Sequence, residues 1–436
     1  MPALQTPGGA RGEVLTDATG AYWRLASIDG AGFATRWTRW RIPTGGSPGI
    51  GFDQLAHVGD EEGDPTWFLA DLDGDGRPDL VESALVERGR NQAFTGNGGE
   101  RYWRVHRGEA GGFAERAQRV TLPAGGQGDA GFWTAAGIAQ DVDHESWALL
   151  DLSGDGRPDL VITAVLAAGD PPGGRVFGAG TDAPYWRVFL NEGNGFADRA
   201  VRWRVPVGGR VGAGFHALGD AGGRDDGDEA WSLLDLTGDG KLDLVVTGFS
   251  SRDLGTLDPQ IFGHDTGEPY WRVFAQEEGR FADRARRYQV PPAGDPTTGF
   301  SRPAGTSVDG DGLTWTTLDL DGDGWLDLVA VAERVDGVLR PYEQGGQVHW
   351  RLFAGESGGF RATPRRFVLP PGGTPGVGFN ALARGDGDEG APTWATADLD
   401  ADGHLDLVIL GEIRGGWSAV FGLPDAPHWR IHRGVP

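Results

Sequence analysis

Cysteine is absent from this chain of 436 residues, which excludes disulfides, thiolate metal sites and cysteine nucleophiles together. Long apolar runs are absent too. No segment reaches the roughly 20 apolar residues of a membrane-spanning helix, and the opening "MPALQTPGGARGEVL" lacks the apolar core of a secretory signal. Positive charge is scarce: 39 Lys and Arg face 63 Asp and Glu, a formal net charge of −24. Nucleic acids and anionic membranes need a basic footprint, so neither is an expected partner, and no membrane insertion is expected. Glycine (76) and proline (27) bring the composition near that of low-complexity chains, but 17 Trp and 20 Phe argue against disorder. Glycine at this level then points to an all-β fold of short strands and tight turns.

What is present is a repeat. A Trp-Arg pair at Trp23 returns at Trp103, Trp186, Trp271, Trp350 and Trp429, a period of about 80 residues. Ten residues after each of the first five stands a phenylalanine: Phe33, Phe113, Phe196, Phe281 and Phe360. Further on, Phe52, Phe132, Phe215, Phe300 and Phe379 each follow a glycine. A second tryptophan (Trp67, Trp147, Trp231, Trp315, Trp394) precedes by four residues a loop of the type "DLDGDGRPDL". Arginines repeat as well, beside each Trp (Arg24, Arg104, Arg187, Arg272, Arg351, Arg430) and sixteen residues after it (Arg39, Arg119, Arg202, Arg287, Arg366).

Short β-branched runs bounded by Gly and Asp read as strands. Each unit holds four, represented by "WSLLDL", "LDLVV", "YWRVF" and "GFADRAVRWRVP", with the Asp loop joining the first two. Four-stranded units at this period predict a β-propeller, with the recurring aromatics packed between blades. The N-terminus begins with third and fourth strands, and the C-terminus ends on first, second and third. Joining them predicts five blades of four antiparallel strands in a single domain over 22–436, after a lead segment over 1–21. One third-strand copy is then left over, because Trp23 and Trp429 fill the same slot.

The five loops place acidic or hydroxyl side chains at positions 1, 3, 5 and 9, a glycine at 6 and a free carbonyl at 7. The first holds Asp71, Asp73, Asp75 and Asp79 with the carbonyl of Arg77; the second Asp151, Ser153, Asp155 and Asp159 with Arg157. The third holds Asp235, Thr237, Asp239 and Asp243 with Lys241; the fourth Asp319, Asp321, Asp323 and Asp327 with Trp325. The fifth holds Asp398, Asp400, Asp402 and Asp406 with His404. A turn needs one or two such residues, not four at fixed spacing in every repeat. An all-oxygen, flexible ligand set is what Ca²⁺ prefers, so one Ca²⁺ per repeat is expected. Ser153 and Thr237 each give up one charge, which predicts weaker sites. The loop differs from an EF-hand, since Glu82, Ile162, Val246, Ala330 and Ile409 stand at position 12 and no helices flank it.

This unit, a strand, "DxDxDGxxD", "LVV" and a strand ending in "NEGNGF", resembles the FG-GAP and VCBS family of calcium-binding β-propeller repeats. That family includes the head of integrin α subunits and many bacterial surface and secreted proteins. The resemblance covers residues 22–433 and implies a calcium-stabilised propeller that binds or adheres to ligands outside the cell. The longer units and the recurring Trp-Arg pair depart from the family pattern.

A second acidic cluster precedes each of Trp67, Trp147, Trp231, Trp315 and Trp394, "GDEEGDPTW" being the first. It reads either as further calcium ligands or as a solvated loop that partners the arginines. Five variable loops (87–101, 166–184, 250–269, 334–348 and 411–427) each carry an aromatic before the Trp-Arg pair: Phe94, Phe177, Phe262, Tyr342 and Phe421. These are the candidate ligand contacts. No nucleophile elbow or phosphate-binding glycine loop occurs. The leading expectation is a non-enzymatic module, extracellular, cell-surface or periplasmic, that binds a glycan or protein. A polysaccharide lyase built on a calcium-loop propeller is the alternative, and a structural spacer the third.

Overall fold

The computed structural model describes residues 3–5, 15–26, 38–222, 225–251, 259–292, 299–306, 313–374, 377–384, 392–397, 406–414, 417–420 and 430–432. They form six sheets, with no α-helix among the described residues. The third sheet shows the plan. Glu145–Leu150, Asp159–Val165, Tyr185–Phe189 and Val201–Arg204 pair in chain order, each antiparallel to the last. The "GF" that opens the sequence-read fourth strand instead forms a separate hairpin, Asn191 bridging Phe196.

Side chains alternate across a strand, so one strand can feed two cores. Leu160 and Ile162 pack with Val81, Trp103 and Val120 of the preceding sheet. Val161 points the other way, packing with Leu244 and Val246 of the next. The third sheet is therefore held between two neighbours. Before every second tryptophan the register slips by one residue, as between Ser146 and Trp147. The same slip recurs in the other four units, a bulge that re-aims the indole.

The aromatics bind the sheets together. Trp103 Nε1 donates to the Phe132 carbonyl (2.7 Å), and its ring meets the edge of Phe196 in the next unit at 5.8 Å. Phe132 in turn lies edge-on to Trp147 at 5.3 Å. The scheme repeats for Trp23, Trp186 and Trp271, which meet Phe113, Phe281 and Phe360. Each edge-to-face pair adds about 0.5–1.5 kcal/mol beyond its buried area. Backbone links follow the same order: Arg41 bridges Gly112, Arg204 bridges Arg280 and Gln289 bridges Gly359, all parallel. A Cβ on Gly112 would lie 2.5 Å from that of Arg41, so this approach is made at glycine, whereas beside Arg280 the linking backbone hydrogen bond lengthens from 2.9 to 3.3 Å.

The chain ends depart from the expectation. Ala3–Gln5 pairs with Gly20–Ala26 and takes the second-strand place in an N-terminal sheet that also holds Thr38–Arg41. At the other end, Arg430–His432 pairs with Asp406–Arg414 in a sheet of its own, beside Pro392–Ala397. The two ends thus occupy separate sheets, and among the described residues no strand pairing joins them. The count is six sheets rather than five, and both third-strand copies are accommodated. The physical reason is that residues 3–5 supply the neighbour that a composite sheet would have drawn from the C-terminus.

Candidate functional site

The Asp loops share one hydrogen-bond scheme. Asp71 Oδ1 accepts from the N–H groups of Gly74 (2.8 Å) and Asp75 (3.2 Å), and Oδ2 from Gly76 (2.8 Å). Asp151, Asp235 and Asp319 accept the equivalent three bonds. The loop winds tightly around this first carboxylate because Gly74 and Gly76 take φ of 73° and 82°, the left-handed region glycine tolerates. Asp75 Oδ1 accepts from Arg77 N–H at 2.8 Å, and Asp155, Asp239 and Asp323 do the same at position 7. Asp71, Asp73 and Asp75 bring one oxygen each within 4.8 Å of one another, and so do Asp319, Asp321 and Asp327.

Position 9 has a second task. Asp159 is fully buried; its Oδ2 accepts from Leu152 and Ser153 and its Oδ1 from Asn191 at the end of the third strand. Asp79, Asp243 and Asp327 clamp loop to strand in the same way through Gly108, Gln276 and Gly355. Burial raises the pKa of Asp79 and Asp159, and pushes Asp243 and Asp327 up to about 6. The carboxylates at positions 3 and 5 add to this by repulsion at Asp327. Arginines offset part of the charge. Arg107 donates to Asp79 (2.8 Å) and lies 3.3 Å from Asp73, and Arg365 bonds Asp321. Neighbouring loops are also tied, since Asn191 Nδ2 donates to the Leu72 carbonyl and Gln276 Nε2 to that of Leu152, both at 2.8 Å.

The repeated arginines form a second constellation. Arg187 and Arg202 stand directly opposite on paired strands, as do Arg104 and Arg119, Arg272 and Arg287, and Arg351 and Arg366. Like charges so placed repel, and aromatic faces and carboxylates relieve them. Arg202 stacks on Tyr185 (4.7 Å), Tyr185 on Phe177 (5.7 Å), and Phe177 on Arg187 (4.6 Å). Arg187 then bonds Glu145. The same column runs Arg119, Tyr102, Phe94, Arg104, Glu82, and Arg287, Tyr270, Phe262, Arg272, Glu229. In the fifth sheet Tyr342 lies beside His349 and under Arg351 at 3.7 Å.

With this geometry in place, comparison with known proteins adds little. No family model matches the chain, and no curated protein matches it. Among solved structures it is similar to an Agrocybe aegerita lectin, described as specifically recognising non-reducing terminal N-acetylglucosamine. The identity is 15%, over 94% of this chain and 87% of that one, with a TM-score of 0.41. A likeness this distant transfers neither ligand nor site.

Four of the five loops are described, while Asp398, Asp400, Asp402 and His404 lie outside the described residues, as do Phe421 and the side chain of Asp406. Phe94, Phe177, Phe262 and Tyr342 lie within the columns, where an arginine covers one ring face of each. The acidic clusters before the tryptophans do several jobs. Glu145 and Glu229 hold the arginines, Glu62 accepts the N–H groups of Arg88 and Gly89, and His57, Asp60 and Asp64 gather closely enough to hold an ion. Parts of the later clusters (223–224, 307–312, 385–391) fall outside the described residues. Sequence reading missed the loop partners Arg107 and Arg365, each matched at its offset in one other unit only, by Arg433 and Arg286, too few for a periodic signal. No helix among the described residues is long and apolar enough to cross a membrane.

Proposed function

We propose that the chain is a calcium-loaded repeat protein of the FG-GAP and VCBS type, arranged as a β-propeller, that binds glycans outside the cell without catalysing a reaction. The observation that carries this reading is the loop scheme. Four loops of differing sequence fold alike around a first carboxylate, and in the first and fourth further carboxylates gather beside it. The donors suit the ion, since the four described loops contain no His or Cys and position 7 adds a carbonyl oxygen. The residues that would hold Ca²⁺ are those at positions 1, 3, 5 and 9 with the position 7 carbonyl, the gathered carboxylates being Asp71, Asp73 and Asp75 in the first loop and Asp319, Asp321 and Asp327 in the fourth. Position 9 also clamps the loop to the third strand. A bound ion would supply positive charge where burial and repulsion otherwise oppose ionisation.

Sites of modest affinity fill at the millimolar calcium found outside cells, which supports the extracellular placement. Glycan binding is supported by the polar cleft of the fifth sheet, where Gln344, Glu343 and His349 supply donors and acceptors. A glycan array read in excess calcium and again in excess chelator tests the whole reading. Binding that needs calcium is the expected result. Absence of any glycan signal overturns the ligand class, and ultraviolet-absorbing unsaturated product from a pectic polymer would favour the lyase.

A further inference from the structure

In three sheets the arginine beside the tryptophan is paired with a glutamate drawn from one of two places, while its cross-strand partner has no ion pair among the described residues. Glu145 and Glu229 come from the start of the first strand, Glu82 from the second strand opposite Arg104. In the fifth sheet both places are apolar. Leu313 stands where Glu145 and Glu229 do, and Ala330 opposite Arg351. Arg351 and Arg366 remain directly opposite one another, and among the described residues neither has an ion pair. This is also where the surface opens. Two adjoining clefts of about 300 and 670 Å³ share Glu333, Arg351 and Pro364, with Arg366 lining the smaller and Leu313 the larger.

We infer that this cleft binds a sugar carrying a carboxylate, whose acid group takes the place left by the missing glutamate beside Arg351. Guanidinium forks are well matched to a carboxylate and form charge-assisted hydrogen bonds with it. Of the two further arginines in the smaller cleft, Arg365 is committed to Asp321 and Arg366 stands opposite Arg351. Glu333 and Glu343 line the same cleft without an ion pair to either arginine among the described residues. They are acceptors for hydroxyl groups, and Gln344 offers both donor and acceptor. Two carboxylates beside the arginines, on a protein of net charge −24, disfavour a densely charged polyanion and suit one acid group on a hydroxyl-rich ligand. The volume of the smaller cleft is in the range of small-ligand pockets. The inference rests on the glycan-binding reading and narrows it to acidic sugars at one sheet.

Titration with glucuronate, glucose and an Asp-rich peptide, followed by NMR, tests it on the full chain in calcium. Glucuronate is expected to bind at least about tenfold more tightly than glucose, and added salt to weaken it. Leu313→Glu rebuilds the internal counter-ion of the other sheets and should abolish glucuronate binding. Arg351→Gln, at an exposed position, should weaken it about tenfold through one lost charge-assisted bond and serves if Leu313→Glu fails to fold. Equal binding of glucuronate and glucose, unchanged in both variants, overturns this inference and leaves glycan binding standing. Binding of the acidic peptide with no sugar bound overturns both.

Discussion

Replacing Trp186 with phenylalanine tests how the sheets are held together. The indole is fully buried between the third and fourth sheets, its Nε1 bonded to the Phe215 carbonyl at 2.7 Å and its ring edge-on to Phe281 at 5.5 Å. Phenylalanine leaves that buried carbonyl without its donor, which costs about 1–3 kcal/mol. The smaller ring also leaves a void worth about 1 kcal/mol. The expected loss is therefore about 2–4 kcal/mol, read as a lower urea midpoint at unchanged slope. Because the core around Trp186 draws from two units, both should unfold earlier. A double-mutant cycle with Phe281→Leu should give a coupling of about 0.5–1.5 kcal/mol. A loss no larger than that of exposed Val207→Ala, or zero coupling, would refute the aromatic linkage.

Other outcomes follow from single groups. Gly126→Ala should destabilise far more than Gly89→Ala, by thermal melting. Both have positive φ, but only the first would press a Cβ to 2.4 Å from a backbone carbon. Burial holds the pKa of His216 below its usual 6.5, so between those values the unfolded chain binds more protons. Stability should fall as pH drops below about 6.5, and His216→Gln should flatten that slope. The position 9 carboxyls act in the opposite sense. Asp243 and Asp327 are raised to about 6, so the metal-free protein should gain stability as pH falls from 7 through that value. With calcium bound the trend should reverse, because protons then compete with the ion.

The repeat, the Asp loops and the aromatic core were legible because their residues keep fixed offsets along the chain. Trp103 and Phe132 are an example, joined in the structure by the hydrogen bond their spacing predicts no better than a shared core. The columns were half legible. Each arginine and loop aromatic recurs visibly, but Arg187 meets Arg202 only through strand register, and Phe177 slips between Tyr185 and Arg187 only once its loop has folded back. Ala3–Gln5 escaped notice because three residues without an Asp loop carry no strand signature. Leu313 could not be read as a missing glutamate until Glu145 and Glu229 were seen to partner arginines.

The central claim is that the crowded aspartates exist to be filled by calcium. Mass action gives about 2.7 kcal/mol per site at a hundredfold excess over Kd, summed over the loops as an upper bound because metal-free loops take up protons or other cations. The direct measurement is thermal melting at pH 7 in excess calcium and in excess chelator, repeated with Asp75→Ala and Asp323→Ala. A Tm that falls steeply in chelator, with each variant losing part of the calcium response, is the result this account predicts. An unchanged Tm on chelation would contradict it, and would remove the argument for an extracellular home.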